Sequence, residues 1–200
     1  LPCVSIIIKA KNEEKLLRGC ISSLHQLDYP KDRIEIIIVD DHSTDNTAGI
    51  VSRYTDTGII LLDLKNKMSD VPGSSGSKKS AIAAGIKKSS GTLIITTDAD
   101  CVFPEKWLST LVSFYETYNP VFIVGPVKFS KEKKALHVFQ SLDFLSLQGI
   151  TAASVYDRFH TMCNGANLSY EKKAFEAVDG FAGIDQIASG DDMLLMHKIY

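Results

Sequence analysis

The chain has 200 residues with 22 basic and 24 acidic side chains, a formal charge of −2, which suits one folded unit with a sizeable core. No long run of either sign is present, which excludes nucleic acid as a partner, and no stretch reaches the roughly eighteen continuous apolar residues of a membrane span. Cys3, Cys20, Cys101 and Cys163 show no C-x-x-C spacing and no cleavable leader is visible, so they read as reduced thiols in a cytoplasmic setting.

Val4 to Ile8 is a continuous apolar, β-branched run and predicts a buried strand. Asn12 is then placed to cap a helix in which Leu16, Leu17, Cys20, Ile21, Leu24 and Leu27 recur at helical spacing. Tyr29-Pro30 breaks that helix, Ile34 to Val39 predicts a second buried strand, and Ser43 or Asp45 opens a helix running to about Tyr54. Ile59 to Leu62 predicts a third strand. The composition of Ser69 to Ser77, SDVPGSSGS, predicts a mobile polar loop, after which Ala81, Ile82, Gly85 and Ile86 mark a helix face. Gly91 leads into a fourth strand, and Pro104 suits the first position of a helix carrying Trp107, Leu108, Leu111, Val112 and Tyr115. Val121 to Val124 predicts a fifth strand, closed by Gly125-Pro126.

Beyond Lys128 the pattern changes. Ala135 to Ile150, Tyr170 to Val178 and Asp191 onward predict helices, and Phe159 to Asn167 is irregular or strand-like. Strands alternating with helices place the chain in the α/β class, with a mainly parallel central sheet flanked by helices on both faces. Residues 129–200 are expected to fold onto residues 1–128 within a single domain. The ends, at Leu1-Pro2 and at Tyr200 inside a helical pattern, are those expected of a piece of a longer chain.

The fourth strand ends in TTDADC, Thr96 to Cys101, with two carboxylates where a buried strand least favours them. In open parallel sheets, ligands bind outside the carboxyl ends of the strands. Asp40 and Asp41 follow the second strand, Asp98 and Asp100 the fourth, and Lys9, Lys11, Asn12 and Glu13 the first, so the polar ends converge on one edge. Paired oxygen donors there suit Mg²⁺ or Mn²⁺, which takes one or two carboxylates plus substrate phosphates. Against that stands the plainer reading, in which such acids cap the next helix or face solvent. Lys78 and Lys79, at a helix start after a Gly/Ser loop, are placed to hold a diphosphate or simply to be solvated. Asp191 and Asp192 in SGDDMLL head a helix and at least favour its dipole. The five histidines, His25, His42, His137, His160 and His197, show no metal-ligand pairing, and G-x-G-x-x-G, Walker and G-x-S-x-G motifs are absent.

Six blocks in order, VSIIIKAKNEE (Val4 to Glu14), IIIVDDHSTDNT (Ile36 to Thr47), GSKKSAIAAGI (Gly76 to Ile86), GTLIITTDADCVFPEKWL (Gly91 to Leu108), NGAN (Asn164 to Asn167) and GFAGIDQIASGDDMLL (Gly180 to Leu195), resemble glycosyltransferase family 2. The resemblance implies a Rossmann-like nucleotide-diphospho-sugar transferase (GT-A) fold and inverting transfer from a nucleotide sugar, UDP-sugar favoured. A glycan, lipid or other hydroxyl would be the acceptor. It implies that Ala10, Asn12, Glu13, Asp40 and Asp41 line the nucleoside pocket, that Lys78 approaches the diphosphate, and that Asp98 sits near ribose and metal. By the same resemblance Asp100 ligates a divalent metal, Mn²⁺ or Mg²⁺, and Asn164 to Asn167 lie near the donor sugar or acceptor. Asp192 acts as general base for the acceptor hydroxyl, with Asp191 the alternative.

This sequence departs from the family pattern at Lys9, where Pro is usual, and at Ala83, where Asn is common. The Gln-Arg-Trp-type segment of processive members is not within the chain. The family also implies a cytoplasmic catalytic face at a membrane, attached through segments outside this chain. Two phosphoryl-transfer alternatives share parts of the pattern. A haloacid-dehalogenase-type phosphatase would use Asp98, Asp100 and the late acidic pair, and a phosphoacceptor receiver would use Asp40, Asp41, Asp98 and Lys128. A non-catalytic binding domain on the same fold is the third alternative.

Overall fold

A computed structural model describes residues 1–65, 78–129, 134–157, 162–187 and 190–200. Its strands are β1 (Val4–Ala10), β2 (Ile34–Asp40), β3 (Ile59–Asp63), β4 (Leu93–Asp98), β5 (Phe122–Val124) and β6 (Leu168–Glu171). Its helices are α1 (Leu17–His25), α2 (Thr47–Ser52), α3 (Lys78–Lys88), α4 (Trp107–Tyr118), α5 (Ala135–Tyr156), α6 (Lys172–Ala177) and α7 (Asp191–Ile199). The strands form one sheet in the order β3-β2-β1-β4-β6-β5. All pairs from β3 to β4 are parallel, and β6 runs antiparallel between β4 and β5.

The apolar runs explain that order. Ile6, Ile7, Ile8, Ile37, Ile38, Ile94 and Ile95 are fully buried, so β1, β2 and β4 must be covered on both faces and occupy the middle. Ile6, Ile8, Ile38 and Ile95 pack with Leu17, Ile21, Ile50 and Leu108 of α1, α2 and α4. Ile7, Ile37 and Ile94 pack on the other face with Ile82 and Ile86 of α3, Phe175 of α6 and Leu195 of α7. Each such side chain contributes about 1.5–3 kcal/mol by leaving water. Gly85 lets α3 approach β1, since a Cβ there would meet Ile7 Cγ2 at 2.5 Å. Gly91 does the same between β4 and β1, where a Cβ would meet the Ser5 amide nitrogen at 2.6 Å.

Three local expectations are corrected. Asn12 does not cap α1, which begins at Leu17; its φ of +58° instead turns the chain back toward Ser43. The α4 helix begins at Trp107, with Pro104 in the preceding turn accepting the Trp107 N–H at 2.9 Å. Leu168 to Glu171 is a strand rather than an irregular-to-helical passage, because tertiary pairing with both β4 and β5 outweighs the weak local pattern of LSYE. In addition, α5 continues to Tyr156, beyond the predicted end at Ile150. The Ser69 to Ser77 loop and His160 lie outside the described residues.

Candidate functional site

The parallel register brings the polar ends together: Ala10 aligns with Asp40, Lys9 with Asp98, and Asp40 with Asp63. The chain leaving β1 is then tied to the one leaving β2. Asn12 N–H donates to Ser43 Oγ at 3.0 Å, Glu13 N–H to Thr47 Oγ1 at 2.9 Å and Glu14 N–H to Asp45 Oδ2 at 3.1 Å. In return, Thr44 N–H donates to Asn12 Oδ1 at 2.8 Å. These bonds fix Asn12 and Glu13 beside Asp40, which is 2% exposed and accepts from the Ser43 hydroxyl.

Asp41 is wholly buried, so its side chain belongs to the wall beneath the edge. Lys9 Nζ lies 3.4 Å from its Oδ2 and His42 Nδ1 lies 3.1 Å from its Oδ1. Oδ2 has no hydrogen bond, so the Lys9 charge is its compensation. The lysine that replaces the usual proline is therefore the counter-ion of a buried carboxylate.

Asp98 is half-buried and Asp100 exposed. Lys78 Nζ, at the start of α3, lies 3.3 Å from Asp98 Oδ1 and 3.7 Å from Asp191 Oδ2. Burial alone would lower the Lys78 pKa, but the charges of Asp98, Asp191 and Asp192, with the hydrogen bond to Asp98, hold it above the ordinary range. Lys79 points elsewhere: it is buried, donates to the Ile187 carbonyl, and lines a cleft of about 540 Å³ with Ala83, Glu176, Asp179, Phe181 and Asp185. That cleft contains none of the carboxylates at the strand ends, and the converging charges, rather than its volume, mark the site.

The Asn164 to Asn167 block lies across from β4, with Thr97 Oγ1 donating to the Ala166 carbonyl at 2.7 Å. Asn164 Oδ1 accepts the Ala166 N–H at 2.9 Å and so shapes the turn. Gly165 N–H donates to Asp192 Oδ2 at 2.9 Å, and Asp192 Oδ1 accepts the Met193 N–H at 2.8 Å. Asn167 is buried, its amide accepting from Trp107 Nε1 at 3.2 Å and donating to the Pro126 carbonyl at 3.0 Å. It braces the block from behind. Gly165, Ser43 and Trp107 were not singled out as site residues in the sequence; the glycine enclosed by two asparagines was the available signal for the first.

Glu13 shows what the edge can hold. Its carboxyl is raised above the ordinary range by burial, then by the charges of Asp100, Asp45 and Asp98. Several carboxylates therefore converge there with Lys78 as a neighbouring cation, and their hard oxygens match Mg²⁺ or Mn²⁺. Among the described residues no three His, Cys, Asp or Glu side chains are gathered as a cation cage, so such an ion would need water and substrate oxygens to complete its shell. All four cysteines are free; burial first, then Asp192 and Asp191, push the Cys163 thiol up to about 12, which leaves it protonated and a poor nucleophile.

Comparison with known proteins bears on the family and the fold. Residues 5–179 match the family described as Glycosyl transferase family 2. The probable glycosyltransferase YdaM of Bacillus subtilis is 28% identical across 100% of this chain, which spans about half (47%) of that relative's length. A mannosyltransferase from Pyrobaculum calidifontis, solved with GDP-Man and Mn²⁺, superposes with a TM-score of 0.70 at 24% identity, covering 99% of this chain and 52% of its own. Staphylococcus aureus TarS 1-349 with UDP-GlcNAc gives 0.67 at 19% identity, covering 98% and 53%. These two likenesses bear on the fold. The family match displaces the phosphatase and receiver alternatives.

Proposed function

Since the chain belongs to glycosyltransferase family 2, we propose that it is the catalytic unit of an inverting, metal-dependent enzyme moving a sugar from a nucleoside-diphosphate donor to an acceptor hydroxyl. The observation that carries this reading is Lys78, held between Asp98 at 3.3 Å and Asp191 at 3.7 Å, with Asp192 across the same opening. A cation at that point, set among acids, suits a ligand that brings its own phosphate charges.

In this reading Asn12, Glu13 and Asp40 face the nucleoside, and Asp41 acts beneath them through Lys9 and His42. Asp98 and Asp100 would hold Mg²⁺ or Mn²⁺, which when bound supplies Lewis-acid neutralisation of the diphosphate. The Lys78 ammonium offsets the charge that grows on the departing nucleoside diphosphate. The acceptor oxygen bonds to the anomeric carbon as the carbon–oxygen bond to phosphate breaks, and the acceptor proton passes to Asp192. The two backbone N–H donors on Asp192 fix its carboxylate for that transfer. GDP-Man and UDP-GlcNAc in the two structural neighbours support a nucleotide-sugar donor. The beta-monoglucosyldiacylglycerol synthase of Synechocystis, 32% identical over 57% of this chain, supports a lipid among the acceptor classes.

Asp192→Asn separates the roles. The variant is expected to bind donor nucleotide with wild-type affinity and to lose transfer by at least about a hundredfold. Transfer retained at wild-type rate would assign the base elsewhere.

A further inference from the structure

Two residues beyond the aligned pair Ala10 and Asp40, the chain takes left-handed turns at Asn12 and at His42, with φ of +58° and +60°. Asn12 uses its turn to accept the Thr44 N–H. At His42 the conformation is one that glycine adopts freely, so a ring there is held against local preference. Residues held in this way cluster where a side chain serves a ligand rather than a core.

The surroundings of the ring say what it offers. Its side chain is 35% exposed, and Nδ1 lies 3.1 Å from Oδ1 of the buried Asp41, whose other oxygen faces Lys9 Nζ at 3.4 Å. A carboxylate only accepts, so Nδ1 carries the proton and the neutral ring keeps its lone pair on Nε2. Among the described residues Nε2 has no hydrogen-bond partner. Asp40, two residues earlier, is committed to the turn: it is 2% exposed, and both of its oxygens accept from Ser43. Lys78 and Asp98 mark the diphosphate end of the edge at β4, and β2 stands two strand spacings away, about 10 Å. A nucleoside laid along the edge from β4 brings its base to the end of β2.

We propose that His42 selects the base of the donor nucleotide, its Nε2 accepting the ring N–H of uracil or guanine, with Asp41 and Lys9 as positioning residues behind it. The proposal rests on the transferase reading above. Cytosine and adenine carry a lone pair at the corresponding ring nitrogen and would set two acceptors against each other, the mismatch that hydrogen-bonding sites reject most strongly.

Calorimetric titration of UDP, GDP, CDP and ADP with Mn²⁺ into wild type and His42→Gly tests it, in mildly alkaline buffer where an imidazole is neutral. Glycine keeps the left-handed turn and removes the ring. Wild type is expected to bind UDP or GDP about tenfold or more tighter than CDP and ADP, and His42→Gly to lose that preference by weakening the favoured nucleotide. Independently of any variant, NMR of nitrogen-labelled wild type should show His42 with Nδ1 protonated and a bare Nε2 whose signal shifts when the favoured nucleotide is added. A preference retained in His42→Gly would assign the base contact to Asp40 and overturn the proposal. So would an Nε2 signal unmoved by nucleotide. Binding of no nucleotide contradicts the donor site itself, and this role with it; nucleotide binding without the preference contradicts the role of His42 alone.

Discussion

The ammonium of Lys78 stands 3.3 Å from the carboxylate of Asp98, joining the first turn of α3 to the last residue of β4 across the mouth of the site. Lys78→Met removes the cation shared by Asp98 and Asp191, and nucleotide affinity is expected to fall at least about tenfold, with Lys78→Arg recovering part of it. The sign of the pH dependence follows from the upward shift of Lys78 from its ordinary value of 10.5. The folded state holds this proton more tightly than the unfolded state, so the stabilisation is complete below the ordinary value and is lost as pH rises through the folded one. Urea denaturation between neutral and strongly alkaline pH should therefore show a steeper alkaline loss in wild type than in Lys78→Met.

Gly165 lies between Lys78 and the Asp192 carboxylate. A Cβ there would lie 3.1 Å from Lys78 Nζ and 3.4 Å from Asp192 Oδ2, both at the ends of side chains able to shift. Gly165→Ala should thus cost less than about 1 kcal/mol in stability while displacing Asp192 enough to slow transfer about tenfold to a hundredfold. Thermal denaturation together with turnover measurements checks both halves.

The sheet centre was legible because Val4 to Ile8, Ile34 to Val39 and Leu93 to Ile95 can be satisfied only by burial on both faces. The edge carrying the acids followed from that, since parallel strands leave their carboxyl ends together. β6 was not legible: its four residues form a strand only because β4 and β5 flank them. Asn12 was misread because an asparagine ahead of an apolar periodic run also describes a residue in a left-handed turn. The burial of Asp41 is matched by Lys9 one strand away, a pairing that local pattern does not reveal.

The Lys9–Asp41 pair can be tested through stability. Asp41 is fully buried and the Lys9 side chain is 20% exposed, so Lys9→Met leaves a carboxylate whose remaining side-chain partner is the His42 ring. It should cost about 3 kcal/mol, and Lys9→Met/Asp41→Asn should cost less than the two single changes summed. Urea midpoints for the three variants supply the cycle.

The central claim is that the carboxylates ending β4 hold a metal and a nucleoside diphosphate together. Calorimetric titration of UDP, and separately GDP, into the protein with Mn²⁺ or with chelator tests it most directly, repeated on Asp100→Asn. Binding of one nucleotide that requires the metal and is lost in the variant is the predicted result. Binding of neither nucleotide under any metal condition, or binding indifferent to both chelator and Asp100→Asn, would contradict it.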